Sequence, residues 1–290
     1  MLNTVWLTTK SNEDASGCVM LLGGFDGLHA GHKTLVSRAK EYGRIIGAMT
    51  IVGGKSGNSL FTQEERRTVF KNAGVDFLFE LPFSEIKGIS PAEFAELLEE
   101  KFAPCAFVCG DDFRFGYQAQ GTTETLASAT QVRVETVKLL KIDGEKISST
   151  AIKNYLANGE TEKANALLGE EFFLLGQVYK DRQVGRTINF PTANIRYPED
   201  KFPIKKGVYE TRVCVDGKEY KGITNYGARP TFDNTDTLTE TYLDGFDGDL
   251  YNKTLQVRFV RYLRSIRKFE SAESLKAQLT EDIRRVRKYD

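Results

Sequence analysis

The sequence predicts an α/β domain built on a parallel sheet, followed by an all-β antiparallel barrel with a terminal helix. Three observations predict this. The first half alternates short apolar runs with helical patterns, the βα rhythm of a parallel sheet covered on both faces. Beyond about Glu170 the runs become short, aromatic or β-branched, and are divided by turn signals such as Asp216-Gly217 and Asp247-Gly248. The 290 residues suffice for two domains, placed at 1–168 and 169–290.

In order, the first domain reads Val19–Leu22 as a strand, Lys33–Tyr42 as a helix, Ile45–Val52 as a strand and Thr62–Ala73 as a helix. Strand Phe77–Leu81, helix Pro91–Phe102 and strand Ala106–Cys109 follow. Thr62 with Glu65, and Ser90-Pro91 with Glu93, are helix-start signals. Two short helices divided by Asn158-Gly159 fill Ser148 to Leu168. In the second domain Phe173–Tyr179, Gly207–Val215, Tyr220–Thr224, Glu240–Leu243 and Thr254–Val260 read as strands, and Ser271 to Arg287 as the terminal helix.

Forty basic residues balance forty acidic ones, so net charge supports neither a nucleic-acid nor a membrane partner. Arginines recur through Val257 to Lys268, but interleaved Val, Phe, Tyr and Leu fit a last barrel strand with one solvated face. No apolar run approaches the ~20 residues that span a bilayer, and no signal-peptide order opens the chain, so a cytoplasmic protein is expected. The four cysteines form no CxxC pair and only two histidines are present, which gives no zinc ligand set and predicts reduced, mostly buried thiols.

Both histidines, His29 and His32, lie in GGFDGLHAGH (Gly23 to His32), directly after the first strand. Glycines at a strand end let backbone approach phosphate, and the following helix N-terminus adds partial positive charge. The spacing resembles the HxGH signature of adenylyl-transferring nucleotidyltransferases, whose imidazoles stabilise charge on the phosphates as pyrophosphate leaves. GDDFRFG (Gly110 to Gly116) sits at another strand's carboxyl end and puts Asp112, Arg114 and Phe115 beside this site, the arginine for phosphate and Phe113 with Phe115 as an aromatic wall. Ser148, Ser149 and Thr150, followed by Lys153, form a hydroxyl cluster with a nearby cation, an anion site or simply a helix cap. In FPTANI, Thr192 and Asn194 alternate with apolar neighbours and share one face, where their oxygens suit a hard cation such as magnesium.

In this order and at these distances the motifs resemble the bacterial bifunctional riboflavin kinase/FAD synthetase family over essentially the whole chain. Gly207-Val208-Tyr209, Arg229-Pro230-Thr231-Phe232 and Asp249-Leu250-Tyr251 add to the likeness. The resemblance implies a Rossmann-like nucleotidyltransferase followed by a six-stranded antiparallel flavokinase barrel. It further implies that riboflavin and ATP give FMN, and that FMN and ATP give FAD and pyrophosphate, with Mg2+ accompanying ATP. Carried over by position, His29 and His32 hold ATP phosphates above a floor of Gly23, Phe25 and Asp26. Ser148, Ser149 and Thr150 are phosphate-side hydroxyls, Thr192 and Asn194 are magnesium and ATP ligands, and Glu240 is the base that takes the proton of the flavin's terminal hydroxyl.

The chain departs from the family at identifiable places. Where the family carries F-x-P-H-P after the second strand, Thr50-Ile51-Val52 runs into GGKSGN (Gly53 to Asn58), with Lys55 as a substitute cation. Lys153 replaces an arginine and loses its bidentate fork. Ile188-Asn189 replaces leucine-glycine and Asn252 replaces a glycine; asparagine is the residue that best tolerates positive φ in glycine's place. Two other readings therefore stand beside the bifunctional enzyme: a riboflavin kinase with an impaired adenylyltransferase domain, and a flavin- or RNA-binding regulator without turnover.

Overall fold

The computed structural model describes residues 3–12, 14–53, 58–142, 145–180, 190–228 and 237–288. Residues 54–57 (Lys55 among them), Ile188-Asn189 and Arg229-Pro230-Thr231-Phe232 of the motifs above lie outside them. The chain divides into two compact units, Met1–Ser149 and Thr150–Asp290.

Among the described residues of the first unit, six strands form one sheet: β1 (Asn3–Trp6), β2 (Val19–Leu22), β3 (Ile46–Val52), β4 (Phe77–Pro82), β5 (Ala106–Gly110) and β6 (Arg133–Val137). Their order is β1-β4-β3-β2-β5-β6, parallel throughout except for the antiparallel edge pair β1–β4. A strand buried on both faces need not alternate, and β2 (VMLL) and β5 (AFVCG) are buried at every position. Helices α1 (Ala30–Lys40), α2 (Gln63–Ala73), α3 (Phe83–Ile86), α4 (Pro91–Phe102) and α5 (Thr123–Ala129) connect them, and the short hairpin β7 (Lys141–Ile142) and β8 (Glu145–Lys146) follows. The capping boxes at Thr62/Glu65 and Ser90/Glu93 are both formed, so the residues that start α2 and α4 are the ones the sequence marked.

Two corrections concern this unit. Helix α1 opens at Ala30, one turn before the expected Lys33, because His29 itself serves as its N-cap. Strands β1 and β6 and helix α5 were missing from the reading. β6 (RVETV) is a half-exposed edge rich in charge, and α5 is only seven residues long, too short to show a period.

Strand order reverses at β2, with β3 on one side and β5 on the other. In open α/β sheets the crevice beyond the carboxyl ends at such a reversal is where ligands bind. Both the histidine motif, after β2, and GDDFRFG, after β5, start there.

In the second unit α6 (Ser149–Asn158, opening at the division) and α7 (Thr161–Leu168) precede β9 (Phe172–Gln177), β10 (Thr192–Arg196), β11 (Gly207–Val215), β12 (Lys218–Ala228), β13 (Thr237–Leu243), β14 (Thr254–Arg264) and α8 (Ala272–Lys288). The α6–α7 pair, counted with the first domain in the sequence reading, is tied to these strands. Asn165 on α7 donates to Phe259 O at 2.8 Å and accepts from Phe172 N at 2.8 Å, stapling the helix to β14 and β9.

The described strands of this unit form a six-stranded antiparallel sheet, β10-β13-β12-β11-β14-β9, whose edges meet. Tyr179 N, just past β9, donates to Asn194 O on β10 at 3.0 Å, and Gly176 of β9 sits so close to Ile195 of β10 that a Cβ there would collide with it. Closure removes the free edges that an open sheet would leave. Asp216 and Gly217, both at positive φ (50° and 80°), make the tight turn between β11 and β12.

Alternation sorts the barrel into two faces. Tyr209, Thr224 and Thr241 point inward and are buried, with the Thr224 hydroxyl 2.9 Å from those of Thr211 and Thr241. On the outer face Val208, Ile223 and Phe190 pack with Ile283 and Val286 of α8. Arg264 of β14 clamps buried Asp282 of α8 through three contacts of 2.7 to 3.1 Å; removing one partner of such a buried pair costs ~3–5 kcal/mol. The arginines of β14 are thus committed to acids: Arg258 to Glu171 and Glu219, Arg261 to Glu210, Arg264 to Asp282.

Candidate active sites

The histidine turn is built by rings packed on glycines. Phe25 is buried with its ring against Gly23, where an added Cβ would lie 2.6 Å from the ring edge. Gly27 meets Phe61 at 2.9 Å and Gly31 meets the His29 ring at 3.2 Å in the same way. The sequence assigned these glycines to phosphate approach; in the fold each is required by an aromatic neighbour. None of the three takes a positive φ.

The imidazoles are held in defined tautomers by backbone. His29 Nδ1 accepts from His32 N at 3.2 Å, which requires a bare Nδ1 and puts the proton of the neutral ring on Nε2. His32 Nδ1 lies 3.0 Å from Gly27 O, a pure acceptor, so this nitrogen donates. The two rings stack at 3.5 Å between centroids with 15° between planes, and Phe25 sits edge-on to His32 at 4.8 Å. Two stacked imidazoles at a helix N-terminus combine the Nε2 proton of buried His29 with the helix's partial positive charge, an arrangement suited to phosphate. Buried Asp26 accepts from Leu60 N at 3.0 Å, fastening the turn to the segment that leads into α2.

Other expected residues of the first site divide into packed and exposed. Phe113 and Phe115 are both 6% exposed and stack on each other at 5.3 Å, with Phe94 5.0 Å from Phe115. They are core beneath the crevice as much as wall. Asp112 and Arg114 are exposed, and Arg114 Nη1 donates to Phe113 O at 3.0 Å. Ile147, which opens the hydroxyl cluster, abuts Gly31 of the histidine turn. Ser148 and Ser149 are half-buried and Thr150 is exposed. Lys153 carries its ammonium 5.7 Å from the Phe202 ring centroid within the second unit.

In the barrel, register assembles the site. Asn194 on β10 lies opposite Glu240 on β13, and Glu240 lies opposite Asn225 on β12. Thr192, two residues before Asn194, projects from the same face beside Tyr242, which packs on Phe190 at 4.8 Å. Asn194 is 6% exposed, and its side-chain Oδ1 has no hydrogen-bond partner among the described residues. A buried acceptor with no donor costs ~1–3 kcal/mol unless something outside the protein satisfies it. Among the described residues no three His, Cys, Asp or Glu could hold a metal, so a cation here would rest on amide and hydroxyl oxygens. Next to this row a cleft is lined by Pro191, Thr192, Phe246, Asp247, Gly248 and Tyr251. Its rim bends at Asn252, which takes φ 62°, the left-handed conformation expected where asparagine replaces glycine. Asn225 was absent from the sequence reading; it stands in no motif, and only the strand register reveals it.

The two sites define a class: a nucleotide-handling transferase with an HxGH adenylyl-transfer crevice in one unit and a carboxylate-centred barrel site in the other. The FAD synthetase family model matches residues 11–151 and the riboflavin kinase model residues 168–290. The bifunctional riboflavin kinase/FMN adenylyltransferase of Haemophilus influenzae is 32% identical over 94% of this chain and 94% of its own, and that of Pseudomonas fluorescens is 32% identical over 92% and 91%. A crystal structure described as a macrolide-efflux protein from Streptococcus pneumoniae superposes with a TM-score of 0.85, at 28% identity over 95% of each chain. The efflux description is that protein's; among the described residues here no helix is long and apolar enough to cross a membrane. The chain belongs to the bifunctional riboflavin kinase/FMN adenylyltransferase family, and it is an enzyme of flavin cofactor synthesis with both activities.

Proposed function

We propose that the two activities reside in separate domains, adenylyl transfer in residues 1–168 at the β2/β5 crevice and phosphoryl transfer in residues 169–290 at the β10–β13–β12 row. The observation that carries this reading is the buried, unpartnered Asn194 Oδ1 one strand away from Glu240, an acceptor and a base side by side on the outer face.

In the kinase site Glu240 takes the proton of riboflavin's terminal hydroxyl as that oxygen attacks the γ-phosphorus of ATP, whose bond to the bridging oxygen breaks to release ADP. Asn194 and Thr192 supply the oxygens that would hold Mg2+, which when bound neutralises phosphate charge. The cleft beside Thr192 receives the nucleotide.

In the adenylyltransferase site the phosphate of FMN attacks the α-phosphorus of ATP and pyrophosphate leaves. His29, with its proton on Nε2, donates to the phosphates; His32, anchored through Nδ1 to Gly27 O, gains a second donor when its ring is protonated. Ser148, Ser149 and Thr150 add hydroxyl donors, and Asp112 and Arg114, exposed at the carboxyl end of β5, contact flavin or nucleotide. Gly23, Phe25 and Asp26 form the floor on which the phosphates rest, a reading supported by the Phe25 ring seated on Gly23 and by Asp26 fastening the turn to Leu60 N. Riboflavin, FMN and ATP are the small-molecule partners, and the enzyme works in the cytoplasm.

Glu240→Gln tests the kinase assignment: FMN formation should fall by at least about a thousandfold while FAD formation from added FMN continues. Near-normal FMN formation by this variant would refute the base.

A further inference from the structure

We infer that Asn225 is a positioning residue for the kinase reaction, holding the Glu240 carboxylate in place through its side-chain amide. The inference rests on the reading of Glu240 as the base. Two independent observations carry it. The register places Asn225 directly opposite Glu240 on the neighbouring strand, so both side chains leave the same face of the barrel. Asn225 Nδ2 donates to Glu240 Oε2 at 3.4 Å, a long bond that leaves room to tighten when substrate closes the site.

The surroundings give that amide one direction. On its far side, in register on β11, stands Val208, which offers no polar atom, and Ile223 precedes it by two residues on the same face of β12. Across Glu240 the next residue in the row is Asn194. This row of the outer face therefore reads Asn194, Glu240, Asn225, Val208: within the row, one carboxylate between two carboxamides, with an apolar side chain at the end. Asn225 holds one carboxylate oxygen, and that contact helps set the plane in which the carboxylate meets the flavin hydroxyl. A base displaced by an ångström loses rate without losing substrate affinity.

The test uses the full-length protein with riboflavin, ATP and Mg2+. Asn225→Ala removes the amide, and Asn225→Leu keeps the volume while removing the donor, so a packing role and a positioning role separate. We expect kcat for FMN formation to fall about tenfold or more in both variants, with KM for riboflavin and ATP within about twofold of wild type and the melting temperature preserved. In a Glu240→Gln background, single-turnover assays with enzyme in excess should show no further loss on adding Asn225→Leu, because the residue acts through Glu240. Unchanged kcat in both Asn225 variants, or an undiminished further loss in the Glu240→Gln background, would overturn the inference. Should Glu240→Gln alone retain near-normal turnover, the base assignment fails first, and that outcome is distinct from a failure of Asn225.

Discussion

The two units place chemistry on their folds in opposite ways. In the first, the proposed site residues sit on turns beyond the carboxyl ends of β2 and β5, and the turn is shaped by aromatic rings seated on Gly23, Gly27 and Gly31. In the second, the proposed site residues sit on the strands themselves, and the antiparallel register of β10, β13 and β12 brings them together. A loop site is specified by contiguous residues and reads as a motif. A row site is specified by pairing between distant segments, and no stretch of sequence spells it out.

The largest test of this contrast is independence. Glu240→Gln should reduce FMN formation by at least about a thousandfold, within the range general bases supply, and leave adenylylation of added FMN intact. His32→Ala should do the reverse, cutting FAD and pyrophosphate formation by about a hundredfold or more while FMN still accumulates. His29→Ala should add a stability cost of ~1 kcal/mol, because the same ring caps α1, visible as a lower melting temperature absent from His32→Ala.

A smaller test concerns the packed glycines. Gly23→Ala forces a Cβ into the Phe25 ring, and overpacking of this kind costs ~1–3 kcal/mol. The displaced ring should raise KM for ATP in adenylylation, with FMN formation unaffected; wild-type adenylylation kinetics in Gly23→Ala would show that the ring does not shape the site.

The smallest effect is on thiols. Burial pushes the Cys18 thiol up to about 12 and Cys109 up to about 11, so at pH 8 both remain protonated and unreactive. Cys105 and Cys214 are exposed. Iodoacetamide on the native protein should label Cys105 and Cys214, with Cys18 and Cys109 labelling only after denaturation; this also corrects the expectation that most of the thiols are buried.

Much of the first unit was legible because its signals are local. The capping boxes, the buried runs of β2 and β5 and the HxGH spacing each occupy a few consecutive residues. What escaped there was weakly patterned: the charged edge β6, the short α5, and a helix start hidden by the use of His29 as its own cap. The second unit gave up its strands and, by alternation, the shared face of Thr192 and Asn194. Asn225 could not be read, because its meaning depends on which residue stands across from it. The burial of Phe113 and Phe115 was equally hidden, since an aromatic pair at a strand end looks the same in sequence whether it lines a site or packs beneath one.

The central claim is that one chain carries two separable flavin sites, and the most direct measurement follows FMN, FAD and pyrophosphate chromatographically in wild type, Glu240→Gln and His32→Ala, each started from riboflavin and, separately, from FMN. The account predicts FAD and pyrophosphate from either flavin in wild type. It predicts FAD only from FMN in Glu240→Gln, and FMN without FAD from riboflavin in His32→Ala. Accumulation of FMN alone in wild type, or loss of both activities in either variant with the fold intact, would contradict it.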